Sequence, residues 1–135
     1  MLIVGHNYTR EEIAQELGGS AIEFLPNVNG RVVCACLRTD LNPDAPQIIL
    51  PGFGKQIQAS AEALCKQHDP IPVFIKRRVN EWEYVGDFAV ERYSQDAGEI
   101  ANNETRAGRH GAEGISVVIH MKAVPANATQ TRRHL

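Results

Sequence analysis

The sequence lacks long apolar runs and lacks an excess of charge of either sign. Its 135 residues contain no stretch close to the roughly 20 apolar residues that a membrane-spanning helix needs. The N-terminal apolar run extends only from Leu2 to Val4, so we expect no signal peptide and a cytoplasmic location. Fourteen basic and sixteen acidic residues give a net charge of -2. This balance excludes binding of nucleic acid by bulk positive charge but is compatible with a local basic patch.

Cysteine is also scarce, with an odd total of three and no spacing that suggests a disulfide framework. Cys34 and Cys36 are two residues apart in a valine-rich segment, so on a strand they share one face, which we expect to be the core. A zinc site needs two further ligands, and no CxxC or HxxxH spacing supplies them. We therefore expect no metal site and no cofactor.

The length and the hydrophobic fraction of 43% are those of one globular domain of ordinary size. We predict a single domain over residues 1–124, followed by a polar and flexible tail over 125–135. Thr9 and Glu12 have the spacing of a capping box, which predicts a helix over 10–17. Apolar residues at helical spacing predict a second helix over 55–67.

Alternating and β-branched segments predict the sheet. We expect strands over 31–37, 47–50, 71–75 and 115–124, and one bent strand or two short strands over 81–93. The polar stretch 94–114 is predicted to be a loop, whose length favours a functional or a disordered segment. Because the helices do not alternate with the strands, a doubly wound fold is excluded. We predict an α+β fold: a small, strongly curved, mixed or antiparallel β-barrel with two main helices packed on it.

A glycine loop precedes the second helix and is a candidate anion site. Gly52, Gly54 and Lys55 stand at the start of that helix, where backbone amides and the helix dipole favour an anion. A P-loop is excluded, because Ile49 and Gln56 occupy the positions that require glycine and Ser or Thr. A simple turn is favoured on this evidence. An enzyme or sensor for a small phosphorylated or nucleotide ligand is the alternative hypothesis.

No catalytic residues can be assigned. The five histidines are scattered, and no serine or cysteine stands in a nucleophile motif such as GxSxG. A triad assembled in space stays open, because sequence order does not constrain it. A nonenzymatic protein is the favoured interpretation.

Three consecutive cations stand close to two aromatic residues. Lys76, Arg77 and Arg78 precede Trp82 and Tyr84, which are two apart and share a strand face. Cations neutralise phosphates, and aromatic faces stack on bases. Composition alone favours the plainer interpretation, a core-facing aromatic pair beside a solvated turn.

A second basic cluster lies in the long polar stretch. It contains Arg106, Arg109 and His110, and we expect the two arginines to contact phosphate. A basic, aromatic-lined cleft on a globally neutral domain suits selective recognition better than bulk affinity.

Four segments together carry a family resemblance: YTREEIAQELGG, GRVVCACLRTDLNPDAPQIILPGFG, IPVFIKRR and NEWEYVGDF. They resemble the PUA-like superfamily, which includes the EVE, ASCH, YTH and SRA domains. Such domains occur in prokaryotes, alone or beside HNH-type nuclease domains. The resemblance spans about residues 5–93, and WEYVGDF is its most specific part.

The resemblance implies a small barrel that binds DNA or RNA and encloses a modified or flipped base in an aromatic pocket. By position, Trp82 and Tyr84 are implied as stacking residues and Asp87 as an acceptor for a base edge. The implied phosphate contacts are Arg10, Lys76, Arg77 and Arg78. The sequence has no His-Asn-His nuclease segment, so a nuclease or modification enzyme is implied as a partner. A protein-interaction module with an exposed edge strand is a further alternative.

Overall fold

The computed structural model describes residues 1–125, so the predicted polar tail lies outside the described residues except for its first residue. The three helices are α1 (Arg10–Leu17), α2 (Lys55–Lys66) and α3 (Ala97–Ala107). The eight strands are β1 (Asn7–Tyr8), β2 (Asn27–Val28), β3 (Arg31–Val32), β4 (Ala35–Leu37), β5 (Ile48–Ile49), β6 (Ile71–Arg78), β7 (Glu81–Ser94) and β8 (Val118–Ala123). Within residues 1–125, no helix combines the length and the apolar character that crossing a membrane requires.

The first helix has the predicted bounds and the predicted cap. The Thr9 hydroxyl accepts a hydrogen bond from the Glu12 amide at 3.1 Å, and the Glu12 carboxylate accepts one from the Thr9 amide at 2.8 Å. Both bonds satisfy backbone amides that a helix start otherwise leaves free. The capping box therefore fixes where α1 begins.

A six-stranded mixed sheet is built around the long strand β7. The order is β4-β6-β7-β8-β5, and β1 pairs with the beginning of β7. The β4–β6 pair is parallel, and the other pairs of this sheet are antiparallel. The mixed α+β architecture is confirmed. Among the described residues, the pairing path ends at β4 and β5 without joining them, so closure into a barrel stays a prediction.

A third helix, α3, replaces part of the loop predicted over 94–114, and the prediction of two main helices is corrected to three. The Asp96 carboxylate caps the helix start by accepting from the Glu99 amide, and Gly108 ends it in the left-handed conformation (φ 66°). Ile100 and Ala107 pack against a small core cluster. The helix was missed because Ile100 is the one large apolar residue among the residues of α3.

The core contains both cysteines of the valine-rich segment and the aromatic pair that the resemblance implied as stacking residues. Trp82 and Tyr84 share one apolar cluster with Phe74. Cys34 and Cys36 belong to the same cluster and are free buried thiols. Their predicted position in the core is confirmed.

A carboxylate–histidine pair connects α3 to β8 and gives a pH-dependent contribution to stability. The Glu99 and His120 side chains are 2.6 Å apart. This hydrogen bond is the largest influence on the pKa of Glu99 and holds it below its usual range. A hydrogen bond from Arg92 lowers the same pKa by a smaller amount. The contribution is therefore present above the usual carboxylate pKa and is lost as the pH falls through the lowered value in the folded protein.

We expect Glu99→Gln to lower the free energy of unfolding at pH 7 by about 0.5–1 kcal/mol, and the loss to shrink toward pH 3. Urea unfolding across this pH range measures the difference. Glu91→Gln, an exposed change on β7, is the control. A Glu99→Gln loss that is the same at every pH would show that the pair does not titrate as described.

Candidate nucleic-acid interface

A cavity of about 350 Å³ opens where several distant segments meet. Its walls come from residues 22–24, the end of β4, the loop before α2, the segment after α3 and the beginning of β7. The lining is mostly apolar and includes the aromatic side chains of Phe24, Phe53 and Trp82. Pockets of this volume are typical of sites for small organic groups.

One wall of the cavity is held by the buried guanidinium of Arg109, whose side chain is only 6% exposed. It donates to backbone carbonyl oxygens of separate segments: Leu41 at 2.9 Å, Leu50 at 2.7 Å, Glu113 at 2.9 Å and Gly114 at 3.3 Å. Burial is the largest influence on the pKa of Arg109 and lowers it. The arginine thus connects three segments of the chain: the turn after β4, the end of β5 and the turn before β8.

The opposite side is held by Arg10, which is 7% exposed. Its guanidinium donates to the carbonyl oxygens of Ser20, Ile22 and Glu23, the last at 2.6 Å. It also lies over the Trp82 ring, 5.1 Å from the ring centre. Arg10 therefore fixes the segment that carries Ile22 into the cavity wall.

The predicted aromatic pair does not form one open cleft. Trp82 lines the cavity, but both Trp82 and Tyr84 are buried. The Tyr84 hydroxyl donates to the Asp87 carboxylate at 2.5 Å, and neither residue lines the cavity. Phe53 is instead the exposed aromatic side chain at the cavity, with 55% of its surface accessible.

A basic groove adjoins the cavity, and we define it by Arg38, Lys76, Arg77 and Arg78, which line a concavity of about 280 Å³. Arg38 lines both the groove and the cavity. The parallel pairing of β4 and β6 sets Leu37 opposite Ile75, so the next residues of the two strands lie side by side. The three predicted cations are thereby joined by a fourth that the sequence analysis missed.

The groove is only partly neutralised. Arg38, Arg77 and Arg78 form exposed ion pairs with Asp40, Glu83 and Glu81 respectively. Lys76 has no ion pair among residues 1–125, and its ammonium lies 5.8 Å from the centre of the Trp82 ring. Exposed ion pairs contribute little to stability, so a phosphate can replace their carboxylates at low cost.

The remaining predicted site residues are dispersed. Arg106 lies outside the groove and forms two hydrogen bonds with Asp44, both of 2.7 Å. In the glycine loop, Gly52 lines the cavity, whereas Gly54 (φ 131°) stands before α2 and Lys55 is exposed at its start. The glycine loop and Trp82, which the sequence suggested as separate sites, therefore meet at one cavity.

Within residues 1–125, no group of three or more His, Cys, Asp or Glu side chains is placed to hold a metal ion. The cavity and the basic groove present aromatic and guanidinium side chains.

A family model described as "Domain of unknown function (DUF6697)" matches residues 7–131. The chain belongs to the DUF6697 family. No curated protein matches this DUF6697 chain.

Among solved structures, the DUF6697 chain is similar to one described as "Crystal structure of SUVH5 SRA- hemi methylated CG DNA complex". The TM-score is 0.62 with 15% sequence identity, and the match covers 93% of this chain and 90% of that chain. The similarity confirms an SRA-type, PUA-like fold as the resemblance in sequence implied. The specific family is DUF6697.

Proposed function

We propose that this DUF6697 domain is a nonenzymatic reader of a modified base in DNA. In this proposal the cavity receives a base turned out of the strand, and the basic groove holds the neighbouring phosphates. The observation that carries the proposal is the junction at Arg38, where an aromatic-lined cavity and a basic groove adjoin. In a nucleotide, the base and the phosphate are likewise close to each other, because the sugar joins them.

The cavity offers the kind of surface on which a base stacks. Phe53 is half-exposed at the cavity, while the Trp82 ring is already contacted by Arg10 and Lys76. We therefore assign the stacking contact to Phe53 and retain Trp82 as a wall residue. Tyr84 packs in the same apolar cluster as Trp82 and is hydrogen-bonded to Asp87, so we propose that these two residues support Trp82.

An apolar side chain at the cavity fits a bent or opened duplex. Ile22 lines the cavity, yet 89% of its surface is accessible. Proteins that distort DNA commonly insert apolar side chains between base steps. We propose that Ile22 occupies the space from which the base is removed.

The choice of DNA over RNA rests on the structural neighbour, whose description names hemimethylated CG DNA. We also propose the two finer features expected from the sequence, namely a barrel-like sheet and a cytoplasmic location. A nonenzymatic reader changes nothing by itself, so we also propose that it acts with a nuclease or modification enzyme.

A free nucleotide is the second candidate ligand. It is favoured by one observation: Gly52 of the predicted anion loop lines the same cavity as Phe53 and Trp82. In that case the domain is a sensor, and binding needs no DNA strand.

Replacing the unpaired lysine of the groove tests the phosphate contacts. We expect Lys76→Ala to weaken binding to all DNA sequences equally and to reduce the slope of log K against log salt by about 1. Fluorescence anisotropy with one labelled duplex, titrated at several salt concentrations, measures both effects. Lys66→Ala removes the same charge from the far end of α2, where Lys66 pairs with Glu62, and serves as control.

The two variants distinguish the loss of a charge in the basic groove from the loss of the same charge elsewhere on the protein. For Lys66→Ala we expect the same slope of log K against log salt as for the wild type. Equal slopes for Lys76→Ala and the wild type would show that the groove does not contact phosphate.

A further inference from the structure

We propose that the cavity is selective for an anionic group carried by a nucleobase or its nucleotide, rather than for a neutral methylated base. This inference rests on the proposed function, because it names the class of ligand that the same cavity accepts. The evidence is the number and the environment of the cations in the cavity wall.

Two buried guanidinium groups line the cavity without a carboxylate partner. Arg10 and Arg109 are 7% and 6% exposed, and both contribute to the lining. Within residues 1–125, the hydrogen bonds of their guanidiniums all go to backbone carbonyl oxygens. Neither forms an ion pair with an acidic side chain of the described residues.

Carbonyl groups solvate a cation but do not cancel its charge. A buried cation is ordinarily paired with a carboxylate, because removing an isolated charge from water is costly. The Nε of Arg10 is buried and has no hydrogen-bond partner among the described residues. With three arginines and one glutamate among its lining residues, the cavity therefore has excess positive charge in its wall.

The acidic groups nearby do not balance this charge. Glu113 is the one acidic side chain among the residues that line the cavity, and it is exposed. Glu113 and Glu104 act on Arg109 only through longer-range attraction, which burial outweighs in lowering the pKa of Arg109. Arg38 adds a further cation to the lining, although its charge is shared with Asp40.

Such a site distinguishes ligands by charge more than by size. A methyl group on a base offers nothing to a guanidinium, whereas a carboxylate accepts charge-assisted hydrogen bonds in a low-dielectric environment. The same chemistry is available from two sources. One is a base in a strand that carries a carboxylate on its ring, and the other is the phosphate of a free mononucleotide.

The test uses ligands of similar size and different charge. Four duplexes of one sequence carry cytosine, 5-methylcytosine, 5-formylcytosine or 5-carboxylcytosine at a single position, and their affinities are measured by competition anisotropy. The formyl group is planar like the carboxylate but has one oxygen fewer and no charge, and the phosphate contribution is common to all four. In a separate arm, deoxycytidine and its 5′-monophosphate are titrated by calorimetry.

We expect the carboxyl duplex to bind about tenfold or more tightly than the formyl duplex. We also expect Glu113→Gln, which removes an exposed acid from the cavity, to strengthen binding of the carboxyl duplex about two- to fivefold. Glu91→Gln, an exposed change elsewhere on β7, is the control and should have no effect.

The outcomes separate this inference from the proposed function. Tighter binding of the carboxyl duplex supports both. Binding of the monophosphate but not the nucleoside, without any preference among the duplexes, supports an anionic ligand and overturns the DNA reader. Tighter binding of the methyl duplex than of both the carboxyl and the unmodified duplex, with no binding of the monophosphate, overturns the inference and leaves the reader intact.

Discussion

Arg109→Ala is expected to lower the free energy of unfolding by about 3–5 kcal/mol. The guanidinium of Arg109 satisfies four carbonyl oxygens from three separate segments, and alanine leaves those acceptors unpaired around an empty space. Each buried group that loses its partner carries a desolvation penalty. Urea unfolding followed by tryptophan fluorescence measures the loss, with an unchanged m-value showing that unfolding stays two-state.

Arg106→Ala provides the matched control, because it removes the same side chain three positions earlier in the chain. Arg106 is exposed, and its ion pair with Asp44 is accessible to solvent. We expect the midpoint of the Arg106→Ala transition to stay close to that of the wild type. If the two variants are equally stable, the walls of the cavity do not depend on the buried arginine.

The second large effect concerns binding. Phe53→Ala is expected to weaken DNA affinity by about 5- to 150-fold, which corresponds to the loss of one base-stacking contact. Because the Phe53 side chain is 55% exposed, its loss leaves little empty space in the core and should cost little stability. Anisotropy titrations with a duplex carrying one modified base measure the affinity, and thermal unfolding checks the fold.

Tyr93→Ala is an unusually close control for this change. Tyr93 is also 55% exposed, but it lines a separate concavity beside α2. Removing it tests whether any exposed aromatic side chain supports binding. Equal losses for the two variants would contradict a stacking site at Phe53, as would wild-type affinity of Phe53→Ala.

The parts of the fold that could be predicted are those with local signals. The capping box at Thr9 gives the bounds of α1, and the alternating pattern from Trp82 gives the long strand β7. The helix α3 has a local signal as well, the capping residue Asp96 three positions before Glu99. This signal was overlooked because the residues of α3 are mostly polar. A capping residue deserves the same weight in a polar segment as in an amphipathic one.

The cavity depends on contacts that no local pattern encodes. Phosphate contacts were expected for Arg10 from the family resemblance and for Arg109 from the basic cluster in the polar stretch. The structure instead buries both arginines against carbonyl oxygens from distant segments, so contact with an anion stays a proposal for the interior of the cavity. Arg38 was missed because only the parallel pairing of β4 and β6 brings it beside Lys76.

Phe53 could have been found from the sequence. It stands inside the glycine loop, which was interpreted as an anion site formed by backbone amides. The aromatic residue between the two glycines was not considered. An aromatic residue between two glycines in a strand-to-helix loop does not belong to a regular strand face. Such a residue is therefore a candidate for a ligand contact.

The most direct test of the DNA-reader proposal compares the wild-type protein on duplexes of one sequence that differ at one base. Affinities for the unmodified, 5-methylated and 5-carboxylated duplexes are measured at two salt concentrations. We predict that at least one modified duplex binds about tenfold or more tightly than the unmodified one, and that all affinities fall with salt at the same slope. Equal affinities for the three duplexes, or no binding to any of them at low salt, would contradict a reader of modified bases.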